Sequence, residues 1–310
     1  MSTSATAATS LSTPAGTSWR VFAAAAFTVV AWASAFVVIR YVGQDYSPGG
    51  LSLGRLIVGS ACLSLIMALG RRWVPMTGRE WGLVTLIGVL WFGVYSVALN
   101  AGEQHVDAGT AAMLIQLAPI LIGILAGLLL GEGFPRMLVI GGLVAFAGTL
   151  LIGVATSNGH ADIGGVLLVL LAAVVYAMAV VAQKVVLRRV PGLQVTWLAC
   201  LIGTVACLPF TPALIADLAA ASTGTTVGMI YLGVVPLAAA FLTWAYALAR
   251  SDAGRLGATT YAVPPIAIAL GWIFLGEVPA LLAVVGGVIS LIGVGIARRP
   301  AKPAVTAPPA

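Results

Sequence analysis

Residues 107–148 read DAGTAAMLIQLAPILIGILAGLLLGEGFPRMLVIGGLVAFAG, and residues 252–293 read DAGRLGATTYAVPPIAIALGWIFLGEVPALLAVVGGVISLIG. Shifted by 145 positions, the two stretches agree without a gap at twelve of 42 places. Asp107-Ala108-Gly109 falls on Asp252-Ala253-Gly254, Pro119 on Pro264, and Leu130-Gly131-Glu132 on Leu275-Gly276-Glu277. Gly141-Gly142 falls on Gly286-Gly287, Gly148 on Gly293, Leu125 on Leu270 and Val139 on Val284. Ala/Gly/Leu-rich helices match by chance, but hardly with Pro, Gly-Glu and Gly-Gly in one register. The chain is therefore built from two copies of one unit. The first helices of each half match more weakly, Trp32 and Arg40 falling on Tyr176 and Lys184 at a shift of 144.

Outward from this pair, apolar stretches near 20 residues recur, each long enough to cross about 30 Å of hydrocarbon as a helix. Spans are expected near 20–39, 50–69, 81–100, 109–130, 137–155, 164–183, 193–214, 226–248, 256–275 and 279–297. Composition agrees: 61% of the 310 residues are hydrophobic and 8% charged, and the mean hydropathy is +1.10. A soluble domain carries about 25% charged residues, so a cytosolic enzyme, a nucleic-acid-binding module and a disordered scaffold are excluded. Continuous apolar runs such as LIGILAGLLLG (121–131) also exclude a transmembrane β-barrel, whose strands alternate. The expected fold class is an all-α integral membrane protein of ten transmembrane helices. Residues 1–18 and 299–310, poor in charge and periodicity, are expected to be disordered tails. Between them lie two five-helix units, 19–156 and 163–298.

The net charge of +6 is distributed unevenly. With the N-terminus inside, Arg20, Arg71, Arg72, Arg79, Arg136, Lys184, Arg188, Arg189, Arg250, Arg255, Arg298, Arg299 and Lys302 all fall on the cytoplasmic side. The other side holds Arg40 alone, and Arg55 falls within the second helix. This asymmetry follows the positive-inside rule and predicts both termini in the cytoplasm. Five helices per unit is an odd number, so the second unit must be inserted upside down. Inverted repeats place a binding site near the bilayer midplane, between the halves, and allow alternating access.

The chain resembles the drug/metabolite transporter superfamily, specifically its EamA-type branch with two five-helix repeats. The likeness is carried by WASAFVVIRYV (32–42), Pro48 and Arg55, and by the run from Asp107 through Pro119 to Glu132 with its copy from Asp252 through Pro264 to Glu277. It covers about residues 20 to 298. The resemblance implies a secondary carrier of the bacterial inner membrane, commonly an exporter of amino acids or related small metabolites. It also implies a cavity among the first, third, fourth, sixth, eighth and ninth helices.

The candidate site residues follow from polarity within apolar helices. Pro119 and Pro264 remove amide donors at matched positions and so break their helices, freeing the carbonyls of Ile115 and Thr260. Gln116 and Tyr261 precede these breaks by three residues and are repeat mates, expected to share a polar cavity or to bond helix to helix. Trp32, Trp91, Tyr95, Tyr176 and Trp244 lie deep in their helices, as aromatic walls of a pocket or as core packing. Trp19, Trp73, Trp81, Tyr41 and Tyr46 fall at borders and read as interfacial belt residues. Arg55 admits an ion pair with Asp45 or Glu277, snorkelling, a gate, or contact with an anionic substrate group. Glu132 and Glu277 follow glycines at helix ends, as caps for the next helix or as a gate.

All nine acids and both histidines fall in loops or at helix ends, so no buried carboxylate relay is expected. The small multidrug exporters of the same superfamily use a first-helix glutamate, and FTVVAWASAFVVI (27–39) has no acid. Cys62, Cys200 and Cys207 lack metal-ligand spacing, and no GxxxxGK[ST] motif is present. The expectation is no cofactor, no metal, no catalytic residue and no obligate protein partner. A small-molecule substrate and the lipid bilayer are the expected partners, nucleic acid not. The alternatives are a lipid-facing membrane enzyme, resting on Glu103, His105 and Asp107 alone, and a non-transporting membrane subunit.

Overall fold

The computed structural model describes residues 15–70, 73–102, 105, 114–157, 162–276 and 278–299. Every regular element among them is helical. In chain order these are α1 (Ala15–Val42), α2 (Pro48–Gly70), α3 (Gly78–Gly102), α4 (Ala118–Leu129), α5 (Arg136–Thr156), α6 (Ile163–Val186), α7 (Gly192–Ala220), α8 (Thr223–Arg250), α9 (Ala253–Phe274) and α10 (Leu281–Ala297). Eight of them are long and apolar enough to cross a membrane; α4 and α10 are shorter apolar helices. The coarse expectation of an all-helical membrane protein is met. The fourth span, expected from residue 109, takes its shorter form because α4 restarts at Ala118, while residues 106–113 lie outside the described residues. α1 begins at Ala15, inside the stretch expected as tail, because apolar residues further along can propagate a helix back through Gly16-Thr17-Ser18.

Helix starts carry their own signals. Thr77 and Glu80 form a reciprocal capping box that opens α3 three residues before its apolar run. The Asp162 carboxylate accepts from the Gly164 amide at the start of α6, and Ser222 from the Thr225 amide at the start of α8. Pro209 does not end α7; the chain passes through one 3₁₀ turn, Leu208–Phe210, and continues to Ala220.

Repeat mates pack against each other in antiparallel pairs. Along α2 and α7 the contacts run from Ser47 with Asp217, through Ser60 with Thr204, to Ser64 with Trp197 and Val74 with Gln194. Ser60 and Thr204 are themselves mates at a shift of 144, and their hydroxyls meet at 2.9 Å. Along α5 and α10, Gly141 faces Gly293 and Ala297, while Gly148 faces Gly286 and Ser290. Small residues let these two backbones approach, and dispersion rather than hydrophobic exclusion holds them in lipid. The Thr149 and Ser290 hydroxyls add a bond at 3.4 Å. Every one of these helices therefore meets its own copy running the opposite way.

First helices are exchanged between halves. α1 packs on α8 and α9, with the buried Thr28 hydroxyl 2.8 Å from Thr243 and Ser34 2.8 Å from the Tyr231 hydroxyl. α6 correspondingly packs on α3 and α4. Loops gather at two ends. One end carries Arg79, Arg136, Lys184, Arg189 and Arg250, and is fastened across the halves by the Glu80–Arg189 ion pair. There the Lys184 ammonium also donates to the Leu248 and Ser251 carbonyls, both at 2.7 Å. At the other end, Asp45 accepts from the Ser222 amide at 3.0 Å and the Thr225 hydroxyl at 2.6 Å. Asp217 returns the contact, accepting from the Ser47 amide at 3.0 Å and hydroxyl at 2.7 Å. These hydrogen bonds hold the Asp45 carboxyl below its ordinary pKa, the Ser222 amide contributing most.

A candidate substrate site between the halves

The site is built on two irregularities that no periodicity in the sequence announces. α3 winds as a π-helix over Gly88–Val94, and α8 does so over Gly233–Ala239. The two segments are repeat mates, residue for residue, at the shift of 145. Single π turns inside α-helices recur at functional sites because they misalign one carbonyl and re-aim a side chain. Here the α8 segment contains Pro236, which has no amide to donate, and its carbonyl accepts from the Trp32 indole nitrogen at 3.1 Å. Trp91 is the mate of Pro236 and occupies the α3 segment. Both segments open on a glycine with no room for a side chain. A Cβ on Gly88 would lie 2.7 Å from the Ala199 carbonyl, and one on Gly233 would lie 2.8 Å from that of Arg55.

Around these turns the deep aromatics meet. Trp91 is the hub, its ring 5.0 Å from Tyr176, 4.8 Å from Phe241, 6.2 Å from Trp244 and 6.3 Å from Trp32. Trp32 lies 5.1 Å from Trp244, and Tyr95 lies 5.7 Å from Tyr176. Five residues singled out from sequence, on α1, α3, α6 and α8, thus form one connected group. Two members were missed. Phe241 stands three residues before Trp244, a spacing that shares a helix face and was legible. Phe92, 4.6 Å from Phe241, is turned inward by the π register, for which the sequence carries no sign. Within this group the Tyr176 hydroxyl and the Trp244 indole nitrogen are buried with no hydrogen-bond partner, although Tyr176 has Thr260 beside it. Buried polar groups are nearly always satisfied, so orphans in a cluster are notable.

Gln116 and Tyr261 are both buried, but they do not bond to each other. Gln116 lies on the turn before α4, and Tyr261 in the 3₁₀ turn Thr260–Ala262. Tyr261 packs in a separate cluster with Ala145, Ala258 and Phe146, whose ring is 6.4 Å away; its hydroxyl has no partner. Adjacent residues of a 3₁₀ turn point about 120° apart, so Thr260 faces Tyr176 while Tyr261 faces α5. Both breaks are present. Helix restarts at Ala118 and at Val263, which are mates, each one residue before its proline. The Thr260 carbonyl, expected to be free, accepts from the Val263 amide.

Arg55 reaches from α2 to α3, donating from Nη2 to the Ser96 hydroxyl at 3.1 Å, and its Nε is buried without a partner. Among the described residues it makes no ion pair: Asp45 is taken up at the end of the bundle, and Glu277 lies outside the described residues. Glu132 does cap a helix, but not the next one in sequence. Its carboxylate accepts from the Ala253 and Gly254 amides at 2.8 and 3.1 Å, at the start of α9 in the other half. Asp252, the N-cap of α9, makes no such bond itself. Among the border aromatics, Trp19, Trp73, Trp81 and Tyr41 are exposed, whereas Tyr46 is buried and bonded to Thr226 because the α1–α2 turn folds it against α8. Glu103 and Asp107 lie outside the described residues.

The sequence profile of the EamA-like transporter family matches residues 19–154 and again 163–299. The chain belongs to the EamA-like transporter family. A protein of Streptantibioticus cattleyicolor named "Probable terminal-alkyne amino-acid exporter" is 40% identical over 88% of this chain and 91% of its own. An uncharacterized transporter of Bacillus subtilis is 32% identical over 85% and 86% respectively. One solved crystal structure superposes with a TM-score of 0.74 at 18% identity, covering 92% of this chain and 97% of that one, which fixes the likeness of fold. As an EamA-like transporter the chain is a multi-pass membrane protein that moves a small molecule, and not an enzyme.

Proposed function

We propose that this EamA-like transporter exports small amino acids with apolar or unsaturated side chains across the bacterial plasma membrane. In this reading all ten helices span the bilayer, as two inverted five-helix units, 19–156 and 163–298, with both termini cytoplasmic. The unequal distribution of Arg and Lys supports that orientation, and the antiparallel packing of repeat mates supports the inversion. The observation that carries the substrate reading is the Trp91 group, because its aromatics come from α1 and α3 of one half and α6 and α8 of the other. A solute held there touches both halves, so rocking them apart changes which side it can leave from. Aromatic faces with a few orphaned polar atoms suit a small, partly apolar solute. The relative named as a terminal-alkyne amino-acid exporter supports the same class.

Gates belong at the two fastened ends. Glu80–Arg189, Lys184 with Ser251 and Glu132 with α9 would part for loading from the cytoplasm. Asp45 with Ser222 and Asp217 with Ser47 would part for release. Pro119 and Pro264, with Gln116 and Tyr261 beside them, supply the bending points. The test is counterflow in liposomes containing only this protein, loaded with 2-amino-4-pentynoate and offered the labelled compound outside. Accumulation above that of empty liposomes supports the proposal; none, for this compound and for phenylalanine and methionine, removes it.

A further inference from the structure

We propose that Arg55 is the residue that reads the substrate's carboxylate, which makes a carboxylate, rather than an amine, the group this transporter requires. The inference rests on the site assigned above and adds its chemistry. Arg55 stands two turns into α2, with its guanidinium among Tyr95, Ser96, Cys200 and Cys207. None of these neighbours carries a negative charge. Among the described residues its only hydrogen bond is to the Ser96 hydroxyl, which leaves most of its five donors unspent, Nε among them in a position closed to solvent. A cation enclosed in a helical bundle is ordinarily paired, and an unpaired one marks a place where an anion arrives.

The location fits that reading. Ser96, which holds the guanidinium, directly follows Tyr95, whose ring lies 5.7 Å from Tyr176, and Tyr176 touches Trp91, so the charge borders the aromatic group. A carboxylate on the guanidinium fork would point the remainder of a short molecule at the aromatic walls. The orphaned Tyr176 hydroxyl and Trp244 nitrogen offer further donors there. No carboxylate among the described residues faces this group to pair an ammonium, so the amine goes unread. Planar two-point recognition of a carboxylate is what arginine does and lysine does not.

The test measures binding separately from transport. Quenching of tryptophan fluorescence in purified wild-type protein is compared for four probes: 2-amino-4-pentynoate, 4-pentynoate, and the primary amide of each. Both acids should bind about tenfold or more tightly than their amides, the loss expected when a charge-assisted bond is removed. 4-Pentynoate should bind within about threefold of the amino acid. In Arg55→Gln, the preference for acids over amides should collapse to about twofold or less. Amides that bind wild type as well as acids would overturn the assignment, and that comparison needs no variant to fold. A folded Arg55→Gln that keeps the acid preference would also overturn it. If acids bind with an Arg55-dependent preference but no counterflow occurs, the carboxylate site stands and the exporter reading falls.

Discussion

Replacing Gly148 by alanine adds one methyl group where α5 and α10 touch backbone to backbone. An ideal Cβ there would lie 2.5 Å from the Gly286 carbonyl oxygen, and one on Gly141 would lie 2.6 Å from that of Gly293. The nearest atom to the Gly148 Cβ is the Ser290 amide nitrogen at 2.4 Å and ordinary contact begins at 3.4 Å, so the helices must separate by about 1 Å, enough to forfeit a quarter to a half of each dispersion contact along the seam. The obstacle is backbone, which has no rotamer to yield. Overpacking of this kind costs about 1–3 kcal/mol, and at about 2–4 °C per kcal/mol the melting midpoint should fall by several degrees. Gly142, next to Gly141, provides the control, since nothing lies within 4 Å of its added Cβ. Alanine there should instead stabilise by about 0.5–1 kcal/mol through backbone entropy. Thermal unfolding of the purified variants, followed by loss of the monodisperse peak in size-exclusion chromatography, reads the difference. Equal shifts for Gly141→Ala and Gly142→Ala would refute the close approach.

Other outcomes follow from the same geometry. Trp32→Phe keeps an aromatic ring but deletes the bond to the Pro236 carbonyl, and should cost about 0.5–1.5 kcal/mol of stability, checked by denaturation. Tyr261 faces α5 rather than the Trp91 group, so Tyr261→Phe should leave counterflow within about twofold of wild type, whereas Gln116→Ala at the α4 break should lower it about tenfold at an unchanged melting midpoint; unaltered counterflow would remove Gln116 from the site. Asp45 is held below its ordinary pKa of about 3.9, so its contribution is full above that value and is lost as pH falls through the lowered folded value. The stability difference between wild type and Asp45→Asn should therefore be constant near neutrality and shrink below about pH 4. External labelling of single cysteines should reach position 160 and miss positions 75 and 190; labelling at 75 would reverse the proposed orientation.

The twelve-place repeat, the spacing of apolar runs and the side preference of Arg and Lys could be read from the chain directly, because each depends only on residue type and separation along a helix. Pro119 and Pro264 were legible by their matched positions, and the restarts at Ala118 and Val263 came out as mates. Pro209 and Pro236, through which α7 and α8 continue, show that a missing amide alone does not end a helix. Trp32, Trp91, Tyr95, Tyr176 and Trp244 were legible as deep aromatics that could wall one pocket, but their ring-to-ring contacts were not. Their meeting depends on α1 and α6 crossing to the opposite halves, on the π turn Gly88–Val94 that carries the buried Trp91 and Phe92, and on the π turn Gly233–Ala239 whose Pro236 carbonyl holds Trp32. A π turn arises when neighbouring helices compensate for a strained backbone, so it is a property of packing and not of local propensity. Glu132 shows the same limit. Its position after a glycine predicts a cap, yet the helix it caps begins 121 residues away. Arg55 shows it most plainly: sequence offered Asp45 or Glu277 as a partner, and only the folded chain spends the Asp45 carboxylate on Ser222 and Thr225, leaving the guanidinium on Ser96 with no carboxylate among the described residues. Residue type and spacing set which groups are available, whereas their pairing is a choice among distant partners that only three-dimensional packing can make.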